Sequence, residues 1–385
     1  MRNCPICESE NKTKLLSVKF AFDDSFVLPS QNDIVCCNDC GFVYADNEAN
    51  QKNYDDYYKY YNVYADADNA KKTDNRFYYA EFFWDILKDR VNKTDSFIDV
   101  GCGDGGLLQV MRKNGVTDLF GLDPSEASIN QLKKMNIDGM CGNIFNASEY
   151  DLSKFDVVIS TGVAEHIFDL DGYISNLLRL VKEDGTIFIF VPAIEGFGRF
   201  YMNLPNYFNH EHINYFSLKS LDNLMRKFDY YEVSKENRLI KDPNGEYVIY
   251  GFYKKMKKDE SNSVSYDSIS RDSVLEYLKE YNIRKKKTDE ILSSLNDDKY
   301  ILWGVGSLAL QLLDEESFKE KIVFAVDNNS LKQNTVFSGI NIFSPETIKD
   351  SKYQFTILIC SMQGSSEIVK QISEMGLPNK YVIIG

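Results

Sequence analysis

At 385 residues the chain is too long for one ordinary domain, and 43% hydrophobic with 26% charged residues is a globular composition with ample core. A formal net charge of −14 excludes the broad basic surface that non-specific nucleic-acid binding needs, so phosphates on a ligand would have to meet a local basic pocket. No apolar run reaches the ~18 residues of a membrane span, and the first residues lead into a cysteine motif rather than a leader, so the expectation is a soluble cytoplasmic protein with no membrane and no nucleic-acid partner.

Five of the eight cysteines fall in the first forty residues, a clustering that favours metal over disulfides in such a chain. Cys4 and Cys7 form CPIC, and Cys37 and Cys40 form CNDCG. Two CxxC knuckles give four thiolates for a tetrahedral zinc, and four protein ligands leave no open position, so the zinc is expected to be structural. Cys36 is an extra thiol that the CxxC register passes over. From Tyr54 to Tyr64 the chain is dense in tyrosine and acid. Its phenols suit a sugar pocket or a hydrogen bond to a reacting group, but the preferred reading is an amphipathic linker that packs rings on the next domain. Residues 1–75 are therefore read as a zinc-binding domain and a tyrosine-rich linker.

Arg76–Lys88 has helical spacing and opens the central domain, read as residues 76–255. Phe97–Gly106 (FIDVGCGDGG) is a buried strand, a glycine turn and a helix start. Gly101 and Gly103 let a ligand approach the backbone closely, and Asp99, two residues before the first glycine, suits a cationic amine. A second strand, Leu119–Ser125, carries Asp123 about twenty residues past the glycines, where an acid accepts hydrogen bonds from ribose hydroxyls. The glycine stretch resembles the first motif of class I S-adenosylmethionine-dependent methyltransferases. That resemblance makes Gly142-Asn143-Ile144, after a third short strand, the candidate adenine contact through Asn143 and Ile144.

Asp156–Ser160 is the fourth strand and leads into TGVAEHI, with Glu165 and His166. A helix closing at Leu177–Val181 and Asp184-Gly185 precedes a fifth strand, Thr186–Pro192. The chain has three histidines, and two of them, His210 and His212, flank Glu211 in NHEHI. After the fifth strand this segment falls over the carboxyl edge of the sheet, at the mouth of the cofactor site. Two histidines flanking one residue do not easily reach one ion from a strand, whereas an imidazole oriented by a carboxylate is a ready general base. His212 is the candidate base with Glu211 beside it; a loop pair without chemistry is the alternative. Ser217–Phe228 reads as a capped helix, and Tyr230–Val233 and Tyr247–Tyr253 as closing antiparallel strands.

Lys254–Ser273 is a polar linker, and a Lys- and Glu-rich helix follows from about Val274 to Leu295. Tyr300–Trp303, the turn at Gly304 and Gly306, and Lys321–Val326 ending in Asp327 form a second Rossmann-like unit, with further strands at Phe355–Cys360 and Tyr381–Ile384. The turn invites a nicotinamide-dinucleotide reading. The unit lacks a complete second half, so residues 256–385 are read as a degenerate Rossmann-like domain that holds part of the substrate or packs structurally.

The fold class is thus α/β: a small N-terminal zinc domain, a class I methyltransferase Rossmann-like domain and a C-terminal Rossmann-like domain. Taken together, CxxC…CxxCG, DVGCGDG, the later EH pair and the C-terminal glycine turn resemble the zinc-containing sugar methyltransferases of bacterial deoxysugar and surface-polysaccharide pathways. The resemblance implies S-adenosylmethionine and structural zinc as cofactors and a nucleotide-activated sugar as substrate. In its carbon-methylating members the histidine of the EH pair is the base, which maps onto His212, and a tyrosine commonly stands two residues before the pair. Here that position is Asn209, which favours an oxygen acceptor over carbon methylation beside a keto group. The readings from other classes are a non-catalytic protein that binds S-adenosylmethionine or a nucleotide, and a nicotinamide enzyme that uses the C-terminal turn. Roles for His166, His210 and the tyrosine stretch, and the oligomeric state, are left open by the sequence.

Overall fold

The computed structural model describes the chain apart from residues 1, 21–25, 61–72, 151, 199–203, 235, 257–262, 314–315, 331, 350–354, 362–363 and 385. Two compact units emerge: residues 1–201 with 207–277, and residues 278–385 with 202–206.

The first unit begins with an antiparallel sheet of β1 (Lys12–Lys19), β2 (Gln31–Cys37) and β3 (Val43–Asp46), to which Asn214–Tyr215 adds a fourth strand beside β3. Helix α1 (Gln51–Tyr60) covers the first part of the tyrosine stretch, whose remainder lies outside the described residues. Helix α2 (Thr73–Leu87) buries Ala80, Trp84 and Leu87, one face at helical spacing.

From there the chain winds through β4 (Phe97–Val100), α3 (Gly106–Lys113), β5 (Leu119–Asp123), α4 (Glu126–Lys134), β6 (Asp138–Cys141), β7 (Phe155–Thr161), α5 (Leu170–Leu180) and β8 (Val181–Pro192). After them come α6 (Leu204–Tyr207), whose residues up to Asn206 are counted with the second unit, and then β9 (Asn214–Tyr215), α7 (Leu218–Arg226), β10 (Tyr230–Glu232), β11 (Leu239–Lys241) and β12 (Tyr247–Lys255). The sheet order is β6-β5-β4-β7-β8-β12-β10, parallel from β6 to β8 and antiparallel at β12, with β11 also on β12. The central strands are buried on both faces, as their continuous apolar runs require. Val157, Ile159, Phe188 and Phe190 point into the core under α2, α3 and α4, while Val158, Ile187, Ile189 and Val191 point into the core shared with α5, α7 and the cysteine-bearing lobe. This order, with the glycine turn after its central strand, is the class I methyltransferase fold. The turn therefore opens at the carboxyl edge, where the order reverses between β4 and β7.

Three boundaries differ from the sequence reading. Residues 181–185, expected to close a helix, already belong to β8, because Val181 pairs with Phe155 and a bulge then lets Lys182–Asp184 reach solvent before Thr186 rejoins Val157. Helix α7 starts at its expected cap, where Ser217 and Ser220 form a reciprocal box, but stops at Arg226. Helix α8 (Ile269–Ser293) starts earlier than Val274, because the buried Asp267 carboxylate accepts the N–H groups of Ile269 and Ser270 at 3.0 and 3.2 Å.

The second unit holds β13 (Tyr300–Trp303), α9 (Ser307–Leu313), α10 (Glu316–Lys319), β14 (Ile322–Val326), β15 (Thr335–Phe337), β16 (Ile340–Phe343), β17 (Thr356–Ile359), α11 (Ser365–Glu374) and β18 (Tyr381–Ile383). Its sheet order is β15-β16-β14-β13-β17-β18, parallel except for β15, a Rossmann-like arrangement as the sequence implies. Asp327 accepts from the Val305 and Asn329 N–H groups, and Lys332 bridges Asp327 and the Val305 carbonyl.

Candidate active site

The turn after β4 is held in a left-handed backbone at Gly101 (φ 79°) and Gly103 (φ 53°), which glycine alone adopts without strain. A side chain at Gly101 would stand 2.6 Å from a Val163 methyl, whereas at Gly103 nothing lies within 4 Å of the Cβ position. The turn is closed on one side and open on the other. On the open side is a cleft of about 390 Å³ that runs from Gly101, Gly103 and Asp123 past Asn143 and Ile144 to Tyr58, His166 and His212. A second cavity of about 300 Å³ lies by Tyr79, Phe83, Asp99 and Leu107, and Cys102 and Thr161 line both.

Asp99 is 2% exposed, and its Oδ1 has no hydrogen-bond partner among the described residues. Burial, with the nearby Asp123 adding repulsion, pushes its carboxyl up to about 7. An orphaned buried acid of this kind fits a ligand that brings its own positive charge. Asp123 ends β5 with Oδ2 accepting from Gly103 N and Oδ1 from Ser125 N, both at 2.9 Å. Each oxygen keeps a further lone pair, and burial raises the group's pKa while the two backbone N–H groups oppose the shift. Asn143 caps a short 3₁₀ turn through Phe145 N at 3.0 Å, and Ile144 beside it is buried. All six residues assigned to cofactor binding thus gather around the glycine turn, five on the main cleft and Asp99 on the adjoining cavity.

The far end of the cleft is built from three segments. The turn after β7 brings Glu165 and His166; the loop before β9 brings His210, Glu211 and His212; α1 brings Tyr57 and Tyr58. The Tyr58 hydroxyl meets His166 Nδ1 at 2.7 Å, and the Glu211 carbonyl lies 3.1 Å from the same nitrogen. Tyr57 donates to the Glu211 carboxylate at 2.5 Å and meets His210 Nε2 at 3.0 Å. The rings of His166 and His212 sit edge to face, 4.8 Å apart. Asn209, where the resemblance would have a tyrosine, accepts the N–H groups of Glu211 and His212 and so shapes the loop. Burial holds His166 down to about 4 and His212 down to about 3, so both imidazoles are neutral at physiological pH. Glu165, 3% exposed, is pushed up by burial to about 8.

The sequence brought His212 and Glu211 to the cleft mouth, and the structure has both lining it. The carboxylate of Glu211 is taken up by Tyr57, while His212 faces His166 and Glu165. The tyrosine stretch supplies more than packing, since Tyr57 and Tyr58 each hydrogen-bond a histidine segment. Glu165 carried no assigned role. The signal available for it was position alone: the chain leaves the strand next to the glycine-turn strand at the carboxyl edge.

In the cysteine lobe, the sulfurs of Cys4, Cys7, Cys37 and Cys40 lie within 4.8 Å of one another, with Cys4–Cys40 at 3.5 Å and Cys7–Cys37 at 3.4 Å. Ligands 2.3 Å from a tetrahedral zinc stand about 3.8 Å apart, so this donor set fits such an ion closed on all four sides. Cys36 points away, toward the carbonyls of Cys37 and Gly41, and burial pushes its thiol up to about 11.

Residues 74–235 match the family profile described as a methyltransferase domain. That match covers the central segment, under half of the chain. Residues 296–383 match a second profile, described as C2185-like, N-terminal. Curated relatives include the ubiquinone biosynthesis O-methyltransferase of Pelagibacter ubique, 31% identical over 107 residues, 26% of this chain and 43% of that protein. The proteins of the same name from Brucella ovis and Coxiella burnetii are 32% identical over 98 and 97 residues. Each match covers 24% of this chain, and 39% and 41% of those proteins respectively. The chain therefore spans less than half the length of these relatives. Among solved structures, 1,6-didemethyltoxoflavin-N1-methyltransferase of Burkholderia thailandensis aligns with TM-score 0.43 and 15% identity, over 62% of this chain and all of that one. The PH0226 protein of Pyrococcus horikoshii aligns with TM-score 0.39 and 19% identity, over 52% and 99%. The residues matched to the methyltransferase profile include the glycine turn and its acids; the cysteine lobe and the second unit lie outside them. Among the described residues, no helix is long and apolar enough to cross a membrane.

Proposed function

We propose that the protein is an S-adenosylmethionine-dependent methyltransferase that methylates a hydroxyl of a nucleotide-activated sugar. The observation that carries this reading is the single cleft that joins the glycine–acid cradle to the histidine cluster. S-adenosylmethionine, when bound, supplies an electrophilic methyl on a sulfonium. In this reading Asp99 meets its ammonium, Asp123 its ribose hydroxyls, and Asn143 and Ile144 flank its adenine. The acceptor hydroxyl enters from the Tyr58 side and is activated where His166 and His212 converge, its oxygen held in line with the methyl. Gln51, Asp55 and Tyr58 make that end polar, which suits a hydroxyl-rich acceptor. The curated relatives are likewise named as O-methyltransferases. The sugar and its nucleotide rest on the joint occurrence of the four-cysteine set and the methyltransferase core.

Methylation of a carbon beside a keto group is the second reading. It is favoured by Tyr57 and Tyr58, phenols that stand by the histidine segments and suit the donor an enolate oxygen needs.

The test is a panel of nucleotide sugars incubated with labelled methyl donor, the product resolved by NMR into O–CH₃ or C–CH₃. His212→Gln is expected to lose turnover by roughly a hundredfold or more while S-adenosylhomocysteine affinity holds. Loss of that affinity in wild-type protein, or transfer to none of the sugars, counts against the reading.

A further inference from the structure

Glu165, His166 and His212 place one donor atom each within 4.8 Å of one another. Two neutral nitrogen donors and one carboxylate, drawn from the β7 turn and the loop before β9, converge on one point of the cleft wall. We propose that these three side chains form a site for a first-row divalent cation, distinct from the cysteine site, and that the cation binds and activates the acceptor hydroxyl. The role assigned to the cation rests on the methyl-transfer reading; the existence of the site does not.

Four observations support it. The Nε2 of His166 stands 3.8 Å from Glu165 Oε1, slightly wider than the roughly 3.3–3.6 Å between two ligands of one tetrahedral ion at roughly 2.0–2.2 Å, so a small side-chain rotation brings both onto it. The other nitrogen of His166 is occupied by the Tyr58 hydroxyl and the Glu211 carbonyl, and such partners orient metal-ligating imidazoles and fix their tautomer. His212 is held from its backbone, its N–H donated to Asn209 and its carbonyl accepting from Tyr215 at 2.7 Å. Glu165, 3% exposed, has an Oε2 with no hydrogen-bond partner among the described residues, so its carboxylate has been taken from water with part of its capacity unused. A buried acid in that state costs stability unless something positive meets it.

Three protein ligands leave coordination positions open, and both histidines line the cleft that holds the glycine turn. Imidazole donors favour iron, nickel, copper or zinc over magnesium and calcium, and the carboxylate lets the same mixed set take manganese. A hydroxyl bound at an open position loses its proton to water, because the cation stabilises the oxyanion. An oxygen lone pair then forms the O–CH₃ bond, the S–CH₃ bond breaks with its pair left on sulfur, and one proton is released overall. In this arrangement His212 acts as a ligand, and its loss removes activation as surely as the loss of a base.

The test titrates Mn²⁺ into full-length, zinc-loaded protein and follows free Mn²⁺ by electron paramagnetic resonance, since manganese does not compete for a four-thiolate site. One saturable Mn²⁺ per chain is expected, weakened at least roughly tenfold in Glu165→Gln and in His212→Gln, and roughly tenfold in Tyr58→Phe through the lost orienting bond. S-adenosylhomocysteine affinity in each variant reports that the fold is intact, so a misfolded variant is recognised and the others decide. Absence of saturable Mn²⁺, or binding that folded variants leave unchanged, overturns the site. Methyl transfer that continues undiminished after the weakly held cation is chelated overturns its catalytic role. Because the titration contains no acceptor, failure to find a sugar substrate leaves the cation result standing.

Discussion

Tyr44 and Asn214 face each other across the antiparallel rung that joins the cysteine-lobe sheet to the strand directly after the NHEH loop. Asn214 in turn donates to the carbonyls of Ala164 and Ile167, and the Arg2 guanidinium donates to Ile167 and Phe168. Arg2 is buried, its backbone N–H bonded to Asp46 at the end of the same sheet. Both arms of the histidine cluster are therefore held by the lobe that the four cysteines close.

Removal of zinc from that lobe is accordingly expected to reach the acceptor side first. Zinc sites of this kind contribute folding free energy directly, so Cys37→Ser should lower the unfolding temperature. At a temperature where the variant is still folded, turnover should fall more than S-adenosylhomocysteine affinity does. Calorimetry beside a methyl-transfer assay checks this. Equal losses in both would mean the lobe supports the whole domain without favouring the histidine end.

The parts legible in the sequence are those encoded locally. FIDVGCGDGG declares its turn because only glycine accepts the backbone that Gly101 and Gly103 adopt, and LFGLD ends in an acid because the strand ends there. The CxxC pairs declare a metal site because their spacing is itself the ligand geometry. The contacts between Tyr57 and Glu211, or Tyr58 and His166, join residues 154 and 108 positions apart, and no period or motif announces such pairs. The early start of α8 was missed for a similar reason: its cap, Asp267, sits in a stretch whose serines and charges read as linker, and it is buried by Ser217 and by Cys40 of the cysteine lobe.

Asp123 has two duties, and two variants separate them. Its carboxylate caps the Gly103 and Ser125 N–H groups and faces the cleft. Asp123→Ala should lose both duties, weakening cofactor binding by roughly 1.5–3 kcal/mol per charge-assisted bond and lowering stability. Asp123→Asn keeps an acceptor and should lie between. Titration calorimetry showing unchanged affinity in Asp123→Ala would remove it from the site.

The two glycines of the turn should respond differently to alanine. At Gly101 a Cβ meets Val163 at 2.6 Å in a left-handed backbone, so Gly101→Ala should cost upwards of about 1–2 kcal/mol of stability. At Gly103 the added methyl finds open space and projects into room the ligand needs, so affinity should drop by more than the backbone strain predicts. Denaturant melts and calorimetry on both variants make the comparison. A Gly103→Ala protein that binds S-adenosylhomocysteine as well as wild type would show that the cofactor does not lie against this residue.

The sharpest pH signature belongs to Asp99. In the ligand-free protein burial raises its carboxyl to about 7, Asp123 adding to the shift. A raised acid contributes stability that is full below its unfolded value of roughly 4 and is lost as pH rises through about 7. A ligand ammonium placed against Oδ1 reverses the preference, because it favours the charged carboxylate. Binding must then expel the proton wherever Asp99 still carries one, so affinity falls as pH drops below about 7, by at most a factor of ten per pH unit, and levels off above it. His166 and His212 do not blur this window, since burial keeps their titration near 4 and 3, and the contribution of Glu165, raised by burial to about 8, is separated by repeating the titration in Glu165→Gln. The measurement is S-adenosylhomocysteine affinity by calorimetry between about pH 5.5 and 7.5 in buffers of different ionisation enthalpy, which also counts the released proton. Wild type should show the slope and the released proton, and Asp99→Asn should bind more weakly with neither. A flat wild-type profile across that window would place the ammonium away from Asp99 and leave the buried acid to another partner.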